Sequence, residues 1–254
     1  MLALKLLLVP FFLGLISLAG KRFGPSTAGW LAGMPVIVGP ILFLLSLQTG
    51  IQFAADAAVF TLASVLTVIA FGLSYAWAAT RLTWPGALCA GLGGWFVAAL
   101  LVANTPFNLW SAAVLALVTL IAARWLYPRT PAVHVRSALP HSELAIRMLL
   151  GAALTLAVTA VAESVGTAWS GVAALAPVLT PVIAVFMHRG NGSHGAQHAI
   201  SLLRSLAGGL YSLAAFCFVI AWQLASLGTA AAFSLAIVVA LIVQSITWLV
   251  RPGK

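Results

Sequence analysis

Gly24-Pro25-Ser26-Thr27-Ala28-Gly29-Trp30-Leu31-Ala32-Gly33-Met34-Pro35-Val36-Ile37-Val38-Gly39-Pro40 is apolar enough to enter a bilayer, yet it is unfit to pass through one as a single regular helix. Pro35 and Pro40 each remove a backbone N–H from its interior, four glycines weaken what remains, and at membrane depth no water satisfies the carbonyls so released. The stretch predicts a broken helix. It also occurs twice. Gly166-Thr167-Ala168-Trp169-Ser170-Gly171 leads into Ala176-Pro177-Val178-Leu179-Thr180-Pro181, so that Gly24, Gly29, Pro35 and Val36 each meet an identical residue 142 positions later.

The rest of the chain fits a bilayer as well. Only 6% of its 254 residues are charged and 63% are hydrophobic, whereas a soluble globule needs about 25% charged residues to cover itself. The expected object is one all-α integral membrane domain, residues 1–254, with the lipid bilayer as its first partner. The net charge of +9 does not point to nucleic acid, because the basic residues stand one or two at a time between apolar segments instead of clustering with aromatics. Cys89 and Cys217 lie far apart inside apolar runs and read as buried small hydrophobes. No phosphate-binding loop, dinucleotide fingerprint, GxSxG or HExxH is present, so neither a cofactor nor an enzyme is expected.

Apolar periodicity predicts about nine spans, at 2–20, 25–47, 53–79, 84–103, 107–127, 143–163, 167–187, 195–224 and 227–250. Lys21 and Arg22, Arg81, Arg124, Arg129 and Arg136, Arg189, and Arg251 and Lys254 all fall in odd-numbered connections or after the last span. The connections near Gln48–Gln52, Asn104–Pro106, Glu163–Gly166 and Ser226–Gly228 have no Lys or Arg. Such alternation requires the Pro-interrupted segments to cross fully, and the positive-inside bias then puts the N-terminus outside and the C-terminus in the cytoplasm.

The duplication extends beyond its opening phrase. Leu2–Leu8 matches Leu144–Leu150, which reads the N-terminus as a span and not a cleaved leader, and Asp56 meets His198 at the same offset. Further on, Ala70-Phe71 and Ala76-Trp77 match Ala215-Phe216 and Ala221-Trp222, and Trp125-Leu126 matches Trp248-Leu249. Repeat one is placed at 1–128 and repeat two at 142–250, the second lacking a partner for the span at 84–103. Five spans precede the second copy, so it enters from the opposite side: a 5+4 inverted-topology repeat with Pro-broken helices 2 and 7.

Two inverted copies, each with a broken helix, are the physical basis of alternating access around a midplane site. The expected function is a secondary transporter for a small organic solute, anionic or amphipathic. Substrate contacts are expected from Ser26, Thr27, Trp30, Pro35, Gly39, Pro40, Trp169, Pro177, Thr180, Pro181 and Arg204. Asp56 and His198, a carboxylate and an imidazole at symmetry-related depths, are the candidates for proton coupling. His188, His194 and His198 cluster, but Glu143 is the sole carboxylate expected on their side, too few for a metal site. Gly29 and Gly33, Gly20 and Gly24, and the stripe Gly86, Ala90 and Gly94 are expected to serve close helix packing. A non-transporting assembly or accessory subunit is the alternative, and a membrane enzyme on lipid-linked substrates a third reading. A homodimer is open.

Gly29-Trp30-Leu31-Ala32-Gly33-Met34-Pro35 with Gly39-Pro40 resembles the opening of small bacterial inner-membrane proteins. More loosely, it is similar to the duplicated segments of AbrB-type and LrgB-type transporters. The resemblance covers the first fifty residues and again 144–200, and it implies an inner-membrane location and a transport role.

Overall fold

A computed structural model describes residues 2–129, 146, 149–150, 152–153, 179–190 and 194–250. Trp169 and Pro177 lie outside the described residues, as do Glu143, Glu163 and most of the expected spans at 143–163 and 167–187. Every regular element among the described residues is an α-helix: α1 Leu2–Phe23, α2 Pro25–Ala32, α3 Val38–Gln48, α4 Ile51–Ala63, α5 Val65–Ala79, α6 Trp84–Ala103, α7 Leu109–Leu126, α8 Leu179–Gly190 and α9 Gly195–Leu249. Four stretches are long and apolar enough to cross a membrane: Ile51–Ala79, in which α4 and α5 join at Ser64, then α6, α7 and α9.

Local chemistry explains the boundaries. Pro25 sits in the first turn of α2, where its missing N–H costs nothing, and Gly24 turns the chain there at φ 91°. Gly24 has open space around it, so it serves the turn rather than the packing expected of it. α7 begins with a capping box, the Ser111 N–H donating to Asn108 Oδ1 (2.9 Å) and the Asn108 N–H to Ser111 Oγ (3.1 Å). At the α4–α5 joint, Ser64 Oγ donates back to the Phe60 carbonyl (2.6 Å) and Thr67 Oγ1 to that of Ser64 (2.9 Å), bonds that bend helices.

α9 is two helices in one. Gly228 has φ 75° and ψ 171°, outside any helix. Across it Ser212 Oγ donates to the Ala240 carbonyl (2.9 Å), and the Phe216 and Phe233 rings lie 6.0 Å apart. A straight helix would hold residues 212 and 240 about 42 Å apart. The chain therefore folds back into a hairpin with an ascending leg, 195–227, and a closing leg, 229–249.

Contacts also fix which helix ends lie together. The Tyr75 hydroxyl is 3.2 Å from His188 Nδ1, and the Trp77 indole N–H donates to the Leu126 carbonyl (2.9 Å). The Gly195 Cα abuts the His188 carbonyl, and Trp30 packs on Trp248 at 4.8 Å. Those contacts gather Lys21, Arg22, Arg81, Arg124, Arg129 and Arg189 at one end of the bundle. At the other end Trp110 meets Phe218 at 5.7 Å and Phe43 meets Phe233 at 5.2 Å, beside connections that carry no Lys or Arg. Trp30 and Phe43 thus meet opposite ends of the closing leg, so α2 and α3 run the length of the bundle rather than doubling back.

The outward faces of α6, α7 and the closing leg expose Phe96, Val97, Leu101, Val114, Val118, Val238 and Ile242. In water such a belt would be an aggregation surface, whereas in lipid it is the ordinary exterior. Inside, small residues let helices approach: Gly91 packs on Phe71 and Tyr75, and Gly94 on Ser74. The face that α6 turns inward is therefore Ala87, Gly91, Gly94 and Ala98, a different stripe from Gly86, Ala90 and Gly94. Cys217 is buried but Cys89 is exposed on the outer surface of α6, against the expectation that both are internal.

Candidate functional site at the helix break

The first broken segment sits at the centre of this arrangement. α2 ends at Ala32, residues 33–37 are non-helical, and α3 resumes at Val38. Pro35 cannot donate to the Leu31 carbonyl, which accepts from the Met34 N–H at 3.1 Å instead. Pro40 likewise has nothing to give Val36, while the Gly39 N–H finds Pro35 O at 2.8 Å. The two prolines thus both open the helix and fix where it opens.

α2 lies on the ascending leg of α9 with backbone against backbone. A Cβ at Gly29 would collide with the Leu202 carbonyl, and one at Gly33 with Gly209 Cα (2.6 Å) and Leu210 N (2.6 Å). From the other side, a Cβ at Gly209 would strike the Trp30 carbonyl. The Gly29–Gly33 pair does serve close packing, and its partner surface is Leu202 to Leu210. A polar bond ties the contact, Ser26 Oγ lying 2.7 Å from Ser205 Oγ.

Across the break, Gln244 Nε2 on the closing leg donates to the Trp30 carbonyl at 3.1 Å. The Trp30 indole N–H donates to Thr247 Oγ1 (3.1 Å), and that hydroxyl donates on to the Gln244 main-chain carbonyl (2.9 Å). Gln244 is 3% exposed, and its Oε1 has no partner. Of the other expected contacts, Thr27 spends its hydroxyl on the Phe23 carbonyl (3.2 Å), and Gly39 is buried with its Cα facing the Phe216 ring. Pro35 and Pro40 are half-buried beside the break.

Thr180 and Pro181, in the first turn of α8, are both buried in a helix that packs on α1, α2, α6 and α9. Arg204 is half-buried on the ascending leg next to Ser205, and among the described residues no hydrogen bond or ion pair engages it. His198 is 1% exposed, with both ring nitrogens unpartnered. Asp56 is exposed in the first turns of α4 and accepts from Gln52 Nε2 at 3.2 Å. Asp56 and His198 therefore lie at opposite ends of the bundle and form no joint site.

No protein-family model, curated protein or solved structure matches the chain. Its chemistry must be read from its own residues. Among the described residues no three of His, Cys, Asp and Glu come together to hold a metal ion. His194 bonds Gln197 (3.1 Å) and His188 bonds Tyr75, so the ring nitrogens of the three do not share one centre.

Four residues of this site were missed in the sequence: Ser205, Gly209, Gln244 and Thr247. Gln244 carried a signal, since an amide in the middle of an apolar span is expensive unless it bonds across helices. Gly209 carried another, a glycine inside a helix where close approach of another backbone is the ordinary reason, although its neighbour Gly208 has open space beside it.

Proposed function

We propose that the chain is a multi-pass protein of the bacterial inner membrane and a secondary transporter for a small anionic or amphipathic organic solute, working by alternating access. The observation that carries this reading is the helix broken at 33–37, which crosses the bundle while riding on the ascending leg through glycine-to-glycine contact. Smooth backbone contact is a surface along which two elements slide or rock at small cost, and a break supplies backbone groups for a ligand.

A 5+4 inverted repeat is part of the proposal. α8 begins and ends within two residues of where α3, shifted by 142, would. α3 runs away from the basic end and α8 runs towards it, and α4 with the ascending leg shows the same opposition. α7 and the closing leg, by contrast, both run towards the basic end, so the Trp125–Trp248 pairing stands outside the inversion. The likeness of 29–40 to AbrB-type and LrgB-type proteins belongs to the same proposal, with the basic end placed in the cytoplasm.

Arg204 gives the site its charge preference, a guanidinium at depth that has no carboxylate beside it among the described residues. The test is counterflow of radiolabelled organic anions in proteoliposomes. Arg204→Gln is expected to lose anion exchange by at least about tenfold, the equivalent of one charge-assisted contact. Full exchange in that variant would remove Arg204 from the site. A wild-type protein that exchanges no anion, yet co-purifies with a partner and tolerates Pro35→Ala, would favour the accessory-subunit reading.

A further inference from the structure

We propose that Tyr75 and His188 form a proton-sensitive lock between α5 and α8, closed while the imidazole is neutral and released when it takes up a proton. The lock is independent of the transport reading. Tyr75 is fully buried, with Gly91 packed on it and the Phe71 ring 5.8 Å away. Its hydroxyl lies 3.2 Å from His188 Nδ1, and the two rings meet edge to face at 6.0 Å. A phenol keeps its hydrogen at neutral pH and donates it, so Nδ1 accepts and the imidazole hydrogen sits on Nε2. The His188 carbonyl abuts the Gly195 Cα, which holds the end of α8 against the start of α9. Ser26 with Ser205, Trp30 with Thr247 and Gln244 with Trp30 also join residues 2–129 to residues 179–250, but none of those groups changes charge near neutral pH.

Protonation reverses the bond. Nδ1 becomes a donor to the phenol oxygen, and the displaced phenol hydrogen has no other acceptor among the described residues, in a side chain that water does not reach. The charges nearby oppose protonation too. α8 packs on α1, α2, α6 and α9. α1 brings Lys21 and Arg22 to this end of the bundle and carries Lys5 at its other end, while α9 brings His194, His198 and Arg204, with Tyr211 and Cys217 further along the ascending leg. α5 brings Tyr75 alone, α2 has no ionisable side chain, that of α6, Cys89, is exposed on its outer surface, and Arg189 adjoins His188 on α8 itself. No carboxylate stands among these described groups to receive a histidinium. His188 is half-buried, one residue past the expected span at 167–187, and burial lowers its affinity for a proton. The closed state therefore binds the proton less readily than the released one. The lock is fully present above the free imidazole value of about 6.5 and weakens as pH falls below it.

The test is hydrogen exchange of the full chain in detergent, compared at about pH 7.5 and about pH 5.5 after the intrinsic rates are divided out. In the wild type, exchange in peptides covering 70–79 and 183–199 should rise by up to about tenfold at the lower pH, the most that one proton gives a unit below the imidazole value. His188→Asn keeps an acceptor where Nδ1 stood and does not titrate, so those peptides should stay protected at both values. Tyr75→Phe keeps the ring and lacks the bond, so they should exchange faster already at the higher pH and respond less to acid. Equal wild-type protection at both values overturns the proposal without any variant, as does a loss confined to other peptides. A loss that persists in His188→Asn assigns the proton to another group, such as His198, and overturns it equally. None of these readouts involves flux, so failure here leaves the counterflow result untouched, and failure there leaves the lock.

Discussion

At the scale of single residues the chain shows what a nearly carboxylate-free protein does with its few polar groups. Most hydroxyls turn back on their own helix, as Thr61 does to the Ala57 carbonyl (2.8 Å) and Ser245 to that of Leu241 (2.8 Å). Of the polar side chains that reach across, Trp30, Gln244 and Thr247 meet near the C-terminal end of α2, Ser26 meets Ser205 at its start, and Ser212 and Tyr75 bond elsewhere in the bundle. His198 and Tyr127 differ from these: among the described residues neither the His198 ring nitrogens nor the Tyr127 hydroxyl, all buried, has a hydrogen-bond partner. A buried polar ring with no hydrogen bond opposes folding, so His198→Leu is expected to keep or raise stability by about 1 kcal/mol, measured as the midpoint of unfolding in detergent. If the same variant loses proton-driven uptake while retaining counterflow, the imidazole is kept for coupling. A variant that unfolds more readily would instead show that the ring has a packing role.

At the scale of elements the decisive contact is α2 on the ascending leg. Its glycines are not interchangeable with the others in the chain. Gly33→Ala and Gly209→Ala each thrust a methyl into opposing backbone, which has no flexible end to give way, and each is expected to destabilise by roughly 1–3 kcal/mol. Gly208 has open space beside it, so Gly208→Ala is expected to be neutral or to stabilise by up to about 1 kcal/mol through helix propensity. Thermal midpoints of the three variants check the contrast, and equal effects at 208 and 209 would contradict the packing described here. The inward stripe of α6 makes the same point about legibility. The sequence pointed to the stripe Gly86, Ala90 and Gly94, whereas the neighbour α5 packs on Gly91 and Gly94.

At the scale of the whole molecule the distribution of charge and the direction of the helices agree. Each basic connection among the described residues lies at the end marked by Tyr75, Leu126 and His188, which is what full crossings by α2–α3 and by both legs of α9 require. Impermeant maleimide labelling in intact cells checks this, after Cys89 and Cys217 are replaced. Cysteines at Thr49, Thr105 and Ser226 should react from outside, and those at Lys21 and Arg81 only after permeabilisation. Reaction of Lys21→Cys and Thr49→Cys from the same side would make α2–α3 a re-entrant hairpin and remove the basis for alternating access.

The sequence alone determined the class of object, the span at 84–103 to the residue, a helix break beside Pro35 and the gathering of basic connections at one end. These follow from hydrophobic length, proline geometry and charge, which are local properties of the chain. It did not determine what answers the break. That the Trp30 carbonyl is served by Gln244, 214 residues away, depends on the closing leg folding back at Gly228 and lying against α2. Asp56 and His198, placed by the sequence near opposite faces of the membrane, do lie at opposite ends of the bundle, but that His198 is buried and Asp56 exposed was decided only by packing. Which faces meet is a property of packing between elements, and periodicity that is apolar all round leaves it undetermined until the tertiary structure chooses.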